Sequence, residues 1–356
     1  MNHPTLSPPS LDRAANWLRH RLGRATCLAY AAALLLPGPS LWLRRQHAVP
    51  PGGGPGHLTL HIASLLLSLV LFSAGLQVPV RTLGRILRRP KAVLAGLTLH
   101  LAIPLMVLPF VAFLLRRTPD TDGGSGLLTA MILIVAMPVA AGATVWTTKG
   151  DGDQPTMVGL VLASTLLGPL TTPLLVAALL PLLSNGYAQA LSDTSRSAGH
   201  GFTFVTVVLP CAAGLLCTLV LPMSWRDRLL RGTVPSAMAG SLILTYINAG
   251  GALGSFLARP RPLLFAAALA VAALVCLLSF VLGKTAAGLL RLDAPVASSL
   301  TLACGMNNSS ASAVLITTSL PDKPHLLLPV LVYGVLQKTA AGRVVARSRP
   351  SSPAAL

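Results

Sequence analysis

An all-helical protein that crosses a membrane many times is the fold class this sequence predicts, and three observations predict it. Of its 356 residues, 53% are hydrophobic and 10% charged, where a soluble domain carries roughly a quarter charged residues. The apolar residues fall in runs of about 20, the length an α-helix needs to cross the hydrocarbon of a bilayer. The 27 Lys and Arg against nine acids, a net charge of +18, lie between those runs, where basic residues set the orientation of spans. The same arithmetic excludes a soluble enzyme, a coiled coil and a disordered scaffold. It also assigns the basic excess to the bilayer rather than to nucleic acid.

The elements follow in order. Residues 1–24 read as a basic cytoplasmic tail, and the first apolar run, about 25–43, is interrupted by Pro37-Gly38-Pro39. A secretory signal also pairs a basic flank with a short apolar core, but here the leading segment is long and no A-x-A site follows. Further spans are expected at about 58–80, 90–115, 126–148, 156–183, 203–222, 234–250, 263–288, 295–319 and 325–342, and a cytoplasmic tail at 343–356. The connectors are short apart from Pro50–Gly56 and the polar stretch 184–201. All nine acids are Asp, and each sits in or beside an expected loop. With the N-terminus inside, 19 of the 27 basic residues fall on the inner side. That bias predicts ten spans with both termini cytoplasmic, in a plasma membrane or a cell inner membrane. Ten spans divide into two units of five, about 25–183 and 203–342, and an odd-numbered repeat is inverted. The whole of 25–342 is one transmembrane domain.

Chemistry concentrates in the fourth span of each half. Both are apolar segments broken by small and polar residues: Pro138 to Gly142 with Thr144 beyond, and Gly305-Met306-Asn307-Asn308-Ser309-Ser310. Matching interrupted helices in two halves point to a transporter's binding site, because unwound backbone survives at membrane depth only inside protein or along a cavity. Two carboxamides and two hydroxyls at that depth are costly without partners. They serve either as neutral ligands and donors for a solute or as helix–helix hydrogen bonds. His100, about eleven residues into the third span, is a candidate to titrate, donate to substrate or relay a proton, or else a neutral buried imidazole. Trp146 to Lys149 read equally as an interfacial anchor. Tyr246 and Asn248 read as packing, and Cys304 as a small buried hydrophobe. No nucleophile–base pair, phosphate loop or metal-ligand spacing supports an enzyme, and the cysteine spacing suggests no structural metal or disulfide framework.

Four stretches carry a resemblance to a known family. They are Leu71 to Gln77 with Arg88-Arg-Pro-Lys-Ala92, Pro138 through Asp153, Ser164 to Pro173, and Gly305 to Ser309. In combination they resemble the bile acid:sodium symporter family, prokaryotic branch. The resemblance implies a core and a panel domain, inverted five-helix repeats with two helices crossing in mid-membrane, and secondary transport of organic anions coupled to sodium. The family's sodium ligands do not carry over. Its carboxylate falls on Ala303, its Ser-Asn pair on Ala143 and Thr144, its span-five hydroxyls on Met157 and Val161, and its span-three glutamine on His100. A sodium site would draw on Thr144, Met306 through its backbone, and Asn307, too few oxygens for a hard cation.

The expectation is therefore an organic-anion carrier with sodium coupling weakened or lost and no other cofactor. The anion would sit near Asn307, Asn308, Ser309, Thr144 and His100, with helix breaks at Pro138, Gly142 and Gly305. A membrane sensor or interaction module that keeps the fold and moves nothing is the alternative. The bilayer and a small organic anion are the expected partners. Lipid-facing and partner-facing apolar surfaces read alike, so no oligomeric state is assigned.

Overall fold

The computed structural model describes residues 24–45, 61–79, 90–116, 124–197, 204–258 and 262–348, with isolated positions between them. The expected tail over 1–23, the Pro50–Gly56 connector and residues 349–356 lie outside the described residues.

Among the described residues the backbone is helical, with no strand beyond one isolated bridge. Helix α1 (Arg24–Leu35) meets α2 (Pro37–Arg45) at a bend of 95°, set by the Pro37-Gly38-Pro39 interruption. Pro37 has no N–H to continue a ladder. The Leu36 carbonyl at the bend accepts from the Tyr246 hydroxyl at 2.6 Å. Helix α3 (Ile62–Leu76) and α4 (Pro90–Leu115) follow. The expected fourth span is split into α5 (Ser125–Val135) and α6 (Ala143–Lys149). Asp153 starts α7 (Gln154–Leu179) by accepting from the Thr156 N–H at 2.8 Å, an N-cap.

The polar stretch read as a connector contains α8 (Asn185–Ser197). After it come α9 (Leu209–Val220) and α10 (Met223–Ala258). The last helix begins eleven residues before the expected span, because a polar opening turn with Arg228 stacked on Trp225 at 4.9 Å is helical too. Two of the Asp residues expected in or beside loops, Asp193 and Asp227, thus lie within helices. Helix α11 (Pro262–Leu289) precedes a second split span, α12 (Ala294–Gly305) and α13 (Ser309–Ser319). The chain's last described element, α14 (Leu327–Ser348), runs six residues past the expected boundary at 342.

Among the described residues four helices are long and apolar enough to cross a membrane: α4, α7 with its 3₁₀ extension to Leu182, α10 and α11. The bent pair α1–α2 makes a fifth. Shorter apolar helices occupy four of the other five expected positions, at α3, α5, α9 and α12, and the breaks are what shorten two of them. At the last position, α14 is long but falls outside both apolar sets. The outward faces of the long helices are apolar. Leu94, Met106 and Phe113 on α4, Leu170 and Leu174 on α7, and Leu263 and Leu277 on α11 are all exposed. A surface of that kind in water would be an adhesive patch, and against lipid tails it is matched.

Packing divides unevenly along the chain. Helices α2, α3, α9 and α10 pack among themselves, and α4 to α7 pack with α11, α12 and α14. Contacts of α10 with α13 and α14, and of α3 with α13, join the two sets. Within the first set α3 and α9 touch backbone to backbone. A Cβ on Gly75 would fall on the Cys211 carbonyl and one on Gly214 on the Phe72 carbonyl, and the Thr218 hydroxyl donates to the Leu76 carbonyl at 2.8 Å.

Candidate functional site

Breaking a helix inside a membrane frees backbone groups that water cannot reach, each worth several kcal/mol if left unpaired. Both breaks here are supplied with partners. At the first, the Leu133 carbonyl accepts from the Ser312 hydroxyl at 2.9 Å and the Ala136 carbonyl from the Thr172 hydroxyl at 2.8 Å. The Val139 N–H donates to the Ser164 hydroxyl at 3.1 Å. The Met137 backbone is hydrogen-bonded by the buried His100 ring. At the second, the Asn307 N–H donates to the Gln337 side-chain carbonyl at 2.9 Å, and the Asn307 amide N–H to the Tyr333 hydroxyl at 3.1 Å. Tyr333 in turn donates to the Gly305 carbonyl at 3.3 Å.

The two breaks also bond to each other. The Ala140 N–H donates to the Met306 carbonyl at 2.9 Å and the Asn308 N–H to the Pro138 carbonyl at 3.0 Å, which makes Val139 and Asn307 an antiparallel bridge pair. The interrupted segments therefore cross in contact, joined as a miniature ladder where neither is helical.

This geometry gives each expected site residue a place. Pro138, Met306, Asn307 and Asn308 meet at the crossing. The Asn308 side chain accepts from the Ala311 N–H at 3.1 Å and caps α13. Ser309 opens that helix and accepts from the Gln337 amide at 3.3 Å. Gly305 is buried against Phe280, whose ring a Cβ there would overlap. Gly142 leads into α6 with open space where a Cβ would stand. Thr144 stands apart on α6, where its hydroxyl donates to the Ala141 carbonyl at 2.8 Å and its carbonyl accepts from the Gln154 amide. His100 reaches the first break and not the second: its hydrogen bond goes to Met137. Trp146 lies under the Lys149 ammonium at 5.1 Å.

The expected sodium set, Thr144, Met306 and Asn307, supplies few oxygens and no carboxylate. The Met306 carbonyl accepts the Ala140 N–H, and the Thr144 hydroxyl donates to its own helix, so each can offer at most a neutral oxygen lone pair. Ala143, Ala303, Met157 and Val161 are buried side chains without an oxygen. Among the described residues the Asn307 side-chain carbonyl is a buried oxygen of that set without a partner. Three neutral oxygens without a carboxylate are a poor match for a hard ion that wants several ligands.

Beside the second break lies a cavity of about 40 Å³. Tyr30 of α1 and Thr245 and Asn248 of α10 form one wall, and Ser309, Ser310 and the α14 stripe through Gly334 to Lys338 form the other. The cavity thus opens between the two packing sets. Sequence reading treated Asn248 as packing and Lys338 as a flanking charge, and passed over Tyr333 and Gln337. A signal for Tyr333 and Gln337 was present. Tyr333 and Gln337 stand four apart, one helical turn, in the span after the Asn-Asn break, and polar groups at membrane depth rarely stand idle.

Comparison with known proteins supplies the family. The family model described as the sodium bile acid symporter family matches residues 64–259, which takes in the first crossing segment. A Bacillus subtilis (strain 168) protein described as an uncharacterized sodium-dependent transporter, YocS, is 22% identical over 275 residues, covering 76% of this chain and 78% of its own. With the family model matching more than half of its length and several membrane-capable helices among the described residues, this chain belongs to the sodium bile acid symporter family, a family of multi-pass membrane transporters.

Proposed function

We propose that the protein carries small organic anions across a cell or inner membrane by alternating access, with sodium coupling weakened or lost. In this reading ten spans form two inverted five-helix repeats with both termini cytoplasmic. Helices α2, α3, α9 and α10 act as a panel, and the remainder, with the crossing at its centre, acts as the core. The observation that carries the reading is the pair of broken helices bonded at their breaks beside a polar cavity between the two sets. An anion near Ser309 and Asn308 gains from the positive end of α13. Rocking the core against the panel would expose the cavity to one side and then the other, and its present 40 Å³ holds a few waters rather than an organic solute. The absence of a side-chain oxygen at Ala143, Ala303, Met157 and Val161 supports weak sodium binding.

Reconstituting the purified chain into proteoliposomes tests both parts. Uptake of labelled taurocholate and a panel of smaller carboxylates is compared under inward sodium, potassium and proton gradients. The expected result is saturable uptake that changes little when potassium replaces sodium. Accumulation driven by a sodium gradient alone would overturn the coupling part. Saturable binding without flux would replace transport by the sensor reading.

A further inference from the structure

The cavity's chemistry is lopsided. Its polar lining consists of the Tyr30, Thr245, Ser309 and Ser310 hydroxyls, the Asn248 carboxamide and the Lys338 ammonium, with no carboxylate among the described residues. Lys338 stands on one stripe of α14 with Leu327, Leu331 and Gly334, residues three and four apart that share a helix face. That stripe is held against the start of α13. A Cβ on Gly334 would come within 2.9 Å of the Ser309 hydroxyl. The register therefore carries Lys338, one turn further on, into the cavity lining. The side chain is exposed there, and it is the one charged group in the cavity lining. A lysine that merely flanked a span would look toward the headgroups; Arg343, beyond it on the same helix, already occupies that position in the chain.

We infer that Lys338 is the charge-selecting residue of the substrate site. Its ammonium pairs with the carboxylate of an organic anion whose oxygens are also held by Ser309, Ser310 and Asn248. A point cation on a flexible stem suits a carboxylate of varied geometry, and charge-assisted hydrogen bonds to it are the strong ones. The fixed positive charge supplies in the protein part of what a co-bound cation would otherwise bring, which fits the poor sodium set at the crossing. The inference rests on the transporter reading for the kind of ligand and on the cavity alone for the residue.

Binding of labelled cholate to the full-length chain in phosphatidylcholine nanodiscs, in competition with cholate and with its uncharged methyl ester, tests it. The wild type is expected to prefer the carboxylate by roughly 10- to 100-fold. Lys338→Met should bring acid and ester to near equality, and Lys338→Arg should restore most of the preference. Amine acetylation read by mass spectrometry checks the unaltered protein: cholate should protect Lys338, the ester should not, and Lys284 should be indifferent. A preference that survives in Lys338→Met, or a Lys338 that cholate leaves unprotected, overturns the inference while leaving the transporter reading intact. Protection by added phosphatidylglycerol without cholate assigns the ammonium to a lipid headgroup and overturns it as well. A wild type that binds neither cholate nor the panel of smaller carboxylates overturns both.

Discussion

At the scale of single residues, the crossing is held by side chains that complete other segments' backbones. Ser164, Thr172 and Ser312 each bond the first break, and Tyr333 and Gln337 bond the second. His100 belongs to this group, since its ring is hydrogen-bonded to Met137. Replacing it with Leu should strand a buried backbone carbonyl and cost about 1–3 kcal/mol, seen as a lower unfolding midpoint in detergent. His100→Gln keeps a donor and should retain both stability and the pH profile of uptake. A pH dependence abolished by His100→Gln would instead make the imidazole a proton carrier. Asn307 and Asn308 were legible from sequence because carboxamides are conspicuous in an apolar run. Lys338 was not, because near the end of a chain rich in Arg a lysine looks like one more orienting charge. Its meaning depends on which face of α14 it occupies, and that is decided by the Gly334–Ser309 approach.

At the scale of elements, the helices owe their positions to composition and their contacts to small residues. The runs at 90–115 and 263–288 reappear as α4 and α11 almost residue for residue, because long apolar segments without glycine or proline clusters admit one interpretation. Both breaks were readable for the converse reason: Pro138 and Gly305 interrupt such runs. The start of α10 and the whole of α8 were not readable, since a polar amphipathic helix and a polar connector share a composition. The α3–α9 contact was equally hidden, because its cause is the absence of side chains at Gly75 and Gly214 on two segments far apart in sequence. Gly214→Val should force those backbones apart, with a cost at or above the 1–3 kcal/mol typical of overpacking. Thermal unfolding of the detergent-solubilised variant would register it, and an unchanged midpoint would show that the two helices tolerate separation.

At the scale of the whole molecule, the polar cavity lies on the seam between two helix sets, and the seam is where an alternating carrier has to move. A Ser310→Cys variant, made with Cys27→Ser because Cys27 is an exposed thiol, provides a check. A membrane-impermeant maleimide should reach position 310 from both faces of the membrane in right-side-out and inverted vesicles, and cholate should slow the reaction from each. Labelling from one face alone would contradict an alternating pathway. The seam's organisation was legible as far as two interrupted helices in matching positions, whereas their mutual hydrogen bonding was not, because backbone partners leave no trace in residue identity. That bonding has a further consequence. The Val139–Asn307 bridge is made of peptide groups, and no exchange of side chains short of proline can cut it. Ala143 and Ala303 each lie four residues from it and bring no polar atom, yet the joint is whole. Architecture and ligand chemistry at the crossing are thus separately heritable: a lineage can rewrite which ions and solutes the crossing favours without ever reopening the question of how the chain folds around it.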